Sequence, residues 1–532
     1  MRTILKNGKM YIGKDAFKEA ILIEDGIIKE IGTNDQIEKN QADSIIDLEG
    51  STVLPGMNDS HLHLAMTGAT MTSCNLAPAK SVEDIIRIGK EYLEGNPNLE
   101  ALSGRSWNQD NFEIGPKRMI NRFDLDKIST DIPIVFTRVC THMAVGNSKA
   151  IEILAVDENT RVSGGVIELD SQGKPNGIFA ENAKSLIESA IPEKTDEDIE
   201  NDILKAADYA ISKGITSVRS TDVDGGNSER MFNIIHDIYK NKRTKLRYGH
   251  QFNFQDIKDF ETYLVSEFNS EDYDDKFLSK GALKLFIDGS LGARTALLQE
   301  DYADFPGEKG VQVLTDEELD NICKLASENG IQVLTHSIGD GAVESLIKAY
   351  EKTMINGENR LRHGIVHCTV TRKEQLERLA ELKIPALYQP IFLTSDIDLL
   401  NERIGEDLAK TTYAFNSLYK LGGPISMSTD SPIEDCNPWH NIYCAVTNMK
   451  LNEQPEGGYN QKEKMNLSDA IDAYTYGSAY VEFKEDFKGR LQPGFVADLV
   501  VLDRDIFTID PIEIKDINVV KTMIDGEFIY ER

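Results

Sequence analysis

From about residue 195 the chain repeats one unit, an amphipathic helix, a glycine and a short strand-like run, and this rhythm restricts the fold more than any other feature. Thr195 precedes an acidic first turn and an amphipathic run to Lys213. Gly214 follows where a helix C-terminus takes a left-handed residue, and Ile215-Thr216-Ser217-Val218-Arg219 reads as a strand. Thr315-Asp316-Glu317-Glu318 opens a helix that ends near Gly330, before the strand Ile331-Gln332-Val333-Leu334-Thr335-His336. Ile365-Val366-His367, a helix from about Lys373, and Pro385-Ala386-Leu387-Tyr388 make another unit. Strands joined through helices lie parallel, and the number of units favours a closed barrel over an open sheet.

The two ends of the chain differ from this middle. Ala20-Ile21-Leu22-Ile23-Glu24 and Ile27-Ile28-Lys29-Glu30-Ile31 are β-rich and meet across Asp25-Gly26, a dipeptide favoured in tight hairpins. Val496 to Asp503 and Val519 to Ile524, the latter followed by Asp525-Gly526, repeat the pattern. Residues from about 70 to 195 break the rhythm and hold glycine-rich pieces such as Arg161-Val162-Ser163-Gly164-Gly165-Val166. The expected fold is α/β: a (β/α)8 TIM-type barrel over 57–489, a small β-sandwich built from 1–56 and 490–532, and an inserted subdomain at about 70–195 beside the barrel mouth.

Composition excludes several partners. Of 532 residues, 89 are acidic and 58 basic, a formal charge of −31 that repels phosphate backbones and anionic membranes, so neither nucleic acid nor membrane is expected. Solvated helix faces account for the acid excess. The cysteines Cys74, Cys140, Cys323, Cys368, Cys436 and Cys444 are scattered without a C-x-x-C and read as reduced thiols of a cytoplasmic protein. Met1 to Gly8 lacks a following apolar region, and 18 apolar residues nowhere run together. Homo-oligomerisation stays open.

The chemistry begins at Leu54-Pro55-Gly56-Met57-Asn58-Asp59-Ser60-His61-Leu62-His63. In a strand, His61 and His63 share a face while Leu62 packs the other way, so two imidazoles aim at one point. Three further candidate ligands stand at strand C-terminal ends: His336, His367 and Asp430. Barrel active sites lie at that face, and five such groups there point to one metal site. In Ala282-Leu283-Lys284-Leu285-Phe286-Ile287-Asp288, alternation puts Lys284, Phe286 and Asp288 on one face. A lysine facing a barrel interior is costly unless paired or neutralised. Carbamylation by carbon dioxide would make it an oxygen donor able to bridge two cations; pairing with Asp288, or Asp288 itself as the ligand, are the alternatives.

These segments, with Gly104-Arg105-Ser106-Trp107-Asn108-Gln109, His142 before Asn147-Ser148-Lys149-Ala150, Lys284 through Thr295, His336-Ser337-Ile338-Gly339-Asp340 and Gly489-Arg490-Leu491-Gln492-Pro493-Gly494, run nearly end to end. Together they resemble the metal-dependent amidohydrolase superfamily, in the branch containing N-substituted formamide deformylases. The resemblance implies a (β/α)8 barrel with a terminal β-sandwich, hydrolysis of amide-type C–N bonds, and a metal site at His61, His63, Lys284, His336, His367 and Asp430. Val366 departs from that branch, which commonly shows Glu before the histidine.

The expected cofactor is a divalent metal, zinc foremost, as one or two ions, with carbon dioxide for Lys284. Such a metal would supply hydroxide at working pH by lowering the pKa of water, and Asp430 is expected to be the catalytic proton shuttle to the departing nitrogen of a small-molecule substrate. Trp107 and His142 are candidates for substrate binding, against core packing for Trp107 and a structural hydrogen bond for His142. Two other readings compete: a cyclic amidohydrolase acting on a lactam, imide or hydantoin ring, and a metal-free binding protein of the same fold.

Overall fold

The computed structural model describes residues 1–532 apart from 139–141, 271–272 and 274–275, and omits the side chains of Asn111 and Ser270; Cys140 therefore lies outside the described residues. Eight strands form one sheet: β1 (Met57–Leu62), β2 (Ile215–Ser220), β3 (Arg247–Asn253), β4 (Leu278–Phe286), β5 (Val333–Ser337), β6 (Gly364–His367), β7 (Ala386–Tyr388) and β8 (Ile425–Met427). Each pairs in parallel with the next in chain order. At the seam, Ser60 Oγ lies 2.9 Å from Ser426 Oγ and donates to Met427 O at 3.0 Å. Beyond the strand ends, Asp430 N donates to His61 O at 3.0 Å and His63 N to Ser431 O at 2.8 Å. The result is a (β/α)8 TIM-type barrel, the architecture that helix-linked strands demand.

Local signals place the connecting helices. Before Asp316–Glu328, Thr315 Oγ1 accepts from Glu318 N while Glu318 Oε2 accepts from Thr315 N, a reciprocal cap that satisfies two helix-end donors. The helix Asp196–Ser212 ends at Gly214, whose φ of +87° suits glycine; a Cβ there would sit 2.9 Å from Val500 Cγ2.

Two further sheets belong to the same compact unit, which comprises Met1–Leu64 and Ala207–Arg532. One contains Arg2–Lys6, Ala20–Glu24, Ile27–Gly32 and Ser44–Asp47. The other joins Lys9–Tyr11, Phe17–Lys18 and Thr52–Pro55 to Leu499–Leu502, Val519–Ile524 and Glu527–Glu531. Leu5, Ile21, Ile23 and Val53 share one core with Leu499 and Met523, so both ends of the chain bury a common apolar surface. Asp25 and Gly26, and likewise Asp525 and Gly526, have positive φ, the geometry that two-residue hairpin turns require.

The second unit, Ala65–Ala206, lies in sequence between β1 and β2. Its six-stranded mixed sheet runs Gly165–Leu169, Pro175–Glu181, Met143–Gly146, Ile134–Arg138, Leu102–Trp107, Cys74–Asn75. One apolar cluster gathers Leu102, Trp107, Phe136 and Ile178, another Val135, Phe179, Ala183 and Ile187. Neighbouring strand residues such as Val135 and Phe136 thus enter different cores, as alternation requires. Among the described residues no helix is long and apolar enough to cross a membrane.

Barrel and sandwich are tied by a buried ion pair. Arg247 at the start of β3 grips Asp498 bidentately, at 2.7 and 2.9 Å, and both side chains are 4% exposed. Removing Asp498 takes the close, bidentate carboxylate from a buried guanidinium and leaves it Asp525 at 4.0 Å, at a cost of up to about 3–5 kcal/mol. Asp498→Ala should therefore lower the melting temperature clearly in differential scanning fluorimetry, whereas Glu377→Ala, which breaks the exposed Lys373–Glu377 pair, should leave it nearly unaltered.

Candidate metal centre

The barrel delivers six candidate residues to its C-terminal mouth. His61 lies near the end of β1 with His63 just past it, Lys284 is two residues before the end of β4, His336 is near the end of β5, His367 ends β6, and Asp430 follows β8. Asp430 Oδ1 stands 3.2 Å from His61 Nε2 and 3.3 Å from His63 Nε2. The ring centre of His367 is 5.8 Å from that of His61 and 4.5 Å from that of His336. His61, His63 and Asp430 can offer three ligand atoms within 4.8 Å of one another.

Each imidazole has an acceptor on its outer side. His61 Nδ1 faces Gln251 Oε1 at 2.5 Å, His63 Nδ1 faces Thr221 O at 3.0 Å, His367 Nδ1 faces Gln389 Oε1 at 2.7 Å, and His336 Nε2 faces Gly289 O at 3.0 Å. The two carboxamides are themselves fixed, because Gln251 Nε2 donates to Ser60 O and Gln389 Nε2 to Leu387 O and Ser428 Oγ. An acceptor on one ring nitrogen holds the proton there and leaves the other as a lone pair. The lone pairs of His61 and His63 then face a carboxylate oxygen that is buried without a hydrogen-bond donor. Such a cluster fits a cation.

The electrostatics agree. Burial lowers the pKa of His61, and burial with the charge of Lys284 brings His336 to about 3. Burial also drives His367 well below the usual histidine range. His63 is the exception: burial lowers it, but the closeness and negative charge of Asp430, with the charge of Asp222 and the Thr221 carbonyl, outweigh burial and raise it. Asp430 stays far below the usual carboxylate range, since His61, His63 and His367 outweigh its own burial. The carboxylate thus draws positive charge to this point, a proton or a metal ion alike. His367, Cys368 and Asp430 all have positive φ without being glycine, at 75°, 48° and 56°. Such backbone costs of order 1–3 kcal/mol per residue and clusters at functional sites.

Lys284 is fully buried, and desolvation lowers its pKa to about 7. Its Nζ donates to Leu285 O at 3.2 Å and lies 3.7 Å from the centre of the Phe286 ring. Among the described residues it has no ion-pair partner within 4.0 Å. Asp288 does not meet it: its carboxylate accepts from the backbone amides of Leu297, Ile338 and Gly339 at 2.8–3.0 Å, while burial raises its pKa to about 7. Asp288 therefore anchors loops.

The other two candidates lie in the second unit. Trp107 is fully buried in its core and donates Nε1–H to Phe136 O at 3.2 Å. The His142 side chain is 69% exposed, with Nδ1 3.3 Å from Glu181 Oε2. Sequence reading missed Gln251 and Gln389. Each lies within or just after a barrel strand, but a lone glutamine there carries no signal of its own.

Imidazoles, a carboxylate and a buried lysine gathered at the C-terminal mouth of a (β/α)8 barrel are the arrangement of a metal-dependent hydrolase. A model of the amidohydrolase family matches residues 44–530, and the chain belongs to that family. It is 32% identical over 521 residues to YtcJ of Bacillus subtilis, which bears a provisional amidohydrolase name, covering 97% of this chain and 96% of YtcJ. N-substituted formamide deformylase of Arthrobacter pascens is 24% identical over 535 residues, 98% of this chain and 96% of that one. The crystal structure of an uncharacterized metal-dependent hydrolase from Pyrococcus furiosus matches with a TM-score of 0.77 at 30% identity, covering 95% of this chain and 99% of that chain. The protein is a hydrolase acting on carbon–nitrogen bonds.

The outer carboxamides yield a direct test. Gln251→Leu and Gln389→Leu remove the acceptors that orient His61 and His367. Each should weaken divalent-metal binding by about 10- to 100-fold in competition with a chromophoric chelator.

Proposed function

We propose that the protein hydrolyses a non-peptide amide or formamide-type C–N bond of a small molecule, with a divalent metal, zinc foremost, held by His61, His63, His336, His367 and Asp430. The observation that carries this reading is the orphaned, buried Asp430 Oδ1 set against two imidazole nitrogens whose protons are held elsewhere. A bound divalent ion supplies Lewis acidity at the substrate carbonyl and lowers the pKa of water. His61, His336 and His367 serve as neutral donors, kept so by burial, and His63, drawn toward protonation by Asp430, gives up that proton when the ion takes its place. Asp430 accepts the proton of the attacking water at a carboxylate oxygen and returns it to the departing nitrogen. Similarity to a formamide deformylase supports the choice of bond, and the net charge of −31 favours a small substrate over a polyanion. The five described cysteines are free, which fits a reducing, cytoplasmic setting.

Lys284 has the environment for carbamylation. A pKa near 7 leaves much of the amine neutral at neutral pH. The neutral amine can add carbon dioxide, forming an N–C bond and releasing a proton, and the resulting carbamate would bridge a second ion. With bicarbonate present, metal analysis should give two ions per chain and one in Lys284→Ala. A single ion in both proteins removes the bridge.

Asp430 is tested by separating chemistry from binding. Asp430→Asn should keep most of the metal and lose about 100- to 10,000-fold in kcat, because the amide still offers oxygen but cannot take a proton. His61→Ala should lose metal and activity together. The assay uses linear formamides and amides beside lactam, imide and hydantoin rings, and preference for a ring would overturn the substrate class. Near wild-type kcat in Asp430→Asn with metal bound would remove Asp430 from the proton path.

A further inference from the structure

The candidate metal site is divided by the seam of the barrel. His61 and His63 stand on the β1 side and Asp430 on the β8 side, and among the described residues no backbone ladder joins these two strands, unlike every other neighbouring pair. Asp59 spans the gap. Its Oδ2 accepts from Thr429 N at 3.0 Å, Thr429 Oγ1 at 2.8 Å and Tyr474 OH at 2.9 Å, and its Oδ1 accepts from His61 N at 3.3 Å. The residue is fully buried. All four donors converge on a group that offers only acceptors when ionised. Thr429 directly precedes Asp430, and Asp59 lies two residues before His61, so one carboxylate fixes the backbone on both sides of the site.

Tyr474 comes from outside the strands. It lies in a π turn over Ala473–Gly477, a widened helical turn of a kind that recurs at functional sites. The turn is pressed against β8: a Cβ at Gly477 would fall 2.3 Å from Ile425 O, and Ser478 Oγ donates to Met427 O at 3.4 Å. A side chain from the C-terminal part of the chain thus reaches the strand that leads to Asp430.

We propose that Asp59 is a positioning residue, clasping Thr429 and Tyr474 across the barrel seam so that His61 and His63 stay in register with Asp430. This rests on the metal-site reading for its functional consequence, but the clasp itself is independent of metal. Asp59→Asn keeps the size but has one acceptor oxygen in place of two, so an N–H must face either His61 N or the Thr429 and Tyr474 donors. Thr429→Val removes the hydroxyl, Tyr474→Phe removes the phenol, and Thr429→Ser preserves the hydroxyl.

Two measurements on the full chain test the proposal. In metal-free protein, hydrogen exchange over residues 425–431 should accelerate in Asp59→Asn, less so in Thr429→Val and Tyr474→Phe, and remain wild type in Thr429→Ser. With cobalt(II) as the probe ion, Asp59→Asn should lose about 10- to 100-fold in affinity and change its visible absorption, and Thr429→Ser should again match wild type. Unaltered exchange over 425–431 in all three disrupting variants would overturn the clasp. Faster exchange with wild-type cobalt affinity and spectrum would overturn its role at the site. Cobalt binding that survives His61→Ala would defeat the metal-site reading instead, and exchange on metal-free protein would still decide the clasp.

Discussion

An imidazole can point a lone pair inward only if something outside takes the proton on its other nitrogen, and the centre of this protein repeats that constraint four times. Two acceptors are carboxamides, Gln251 and Gln389, and two are backbone carbonyls, Thr221 O and Gly289 O. At His336 the Asp288 carboxylate lies farther off, 3.6 Å from Nε2. A neutral acceptor orients the ring without stabilising the imidazolium, so burial prevails at His61, His336 and His367 and keeps them uncharged. The carboxylate nearest the inward nitrogens of His61 and His63 is Asp430.

The barrel makes this possible because its strands end together. Ladder register sets Phe286 opposite His336 and Ser337 opposite His367, so neighbouring strands present their terminal residues at one level. Left-handed backbone at His367 and Asp430 then re-aims these residues at the strand ends. The seam between β8 and β1 is held differently, by side chains of Asp59 and Ser60 and by two backbone hydrogen bonds beyond the strand ends.

Much of the architecture was legible because it rests on short-range chemistry. Gly214 after an amphipathic run, the Thr315–Glu318 cap and the Asp-Gly turns act within a few residues, and the structure puts each where its local physics requires. The candidate ligands were visible because histidine and aspartate at strand ends are costly without a use. The outer acceptors were not: a glutamine becomes informative only when a histidine 190 residues away in sequence is known to face it. Asp288 shows the same limit. Alternation set it on the face of Lys284, but it lies past the strand end, where three loop amides claim it. The extent of the insertion was blurred because its helices and strands obey the same local rules as the barrel's.

Val366, the one departure from the branch pattern, has a physical place in this scheme. It is fully buried against Ala282, Leu334, Leu387 and Val481. Ala282 precedes Lys284 by two residues and Leu334 precedes His336 by two, so on each strand the apolar residue shares a face with the polar one and lies one step deeper in the barrel. The cluster is therefore an apolar floor beneath the site. A glutamate at 366 would bring a further charge into that layer and reduce the desolvation of its surroundings. With valine the floor stays apolar, and desolvation is the largest cause of the fall of the Lys284 pKa to about 7.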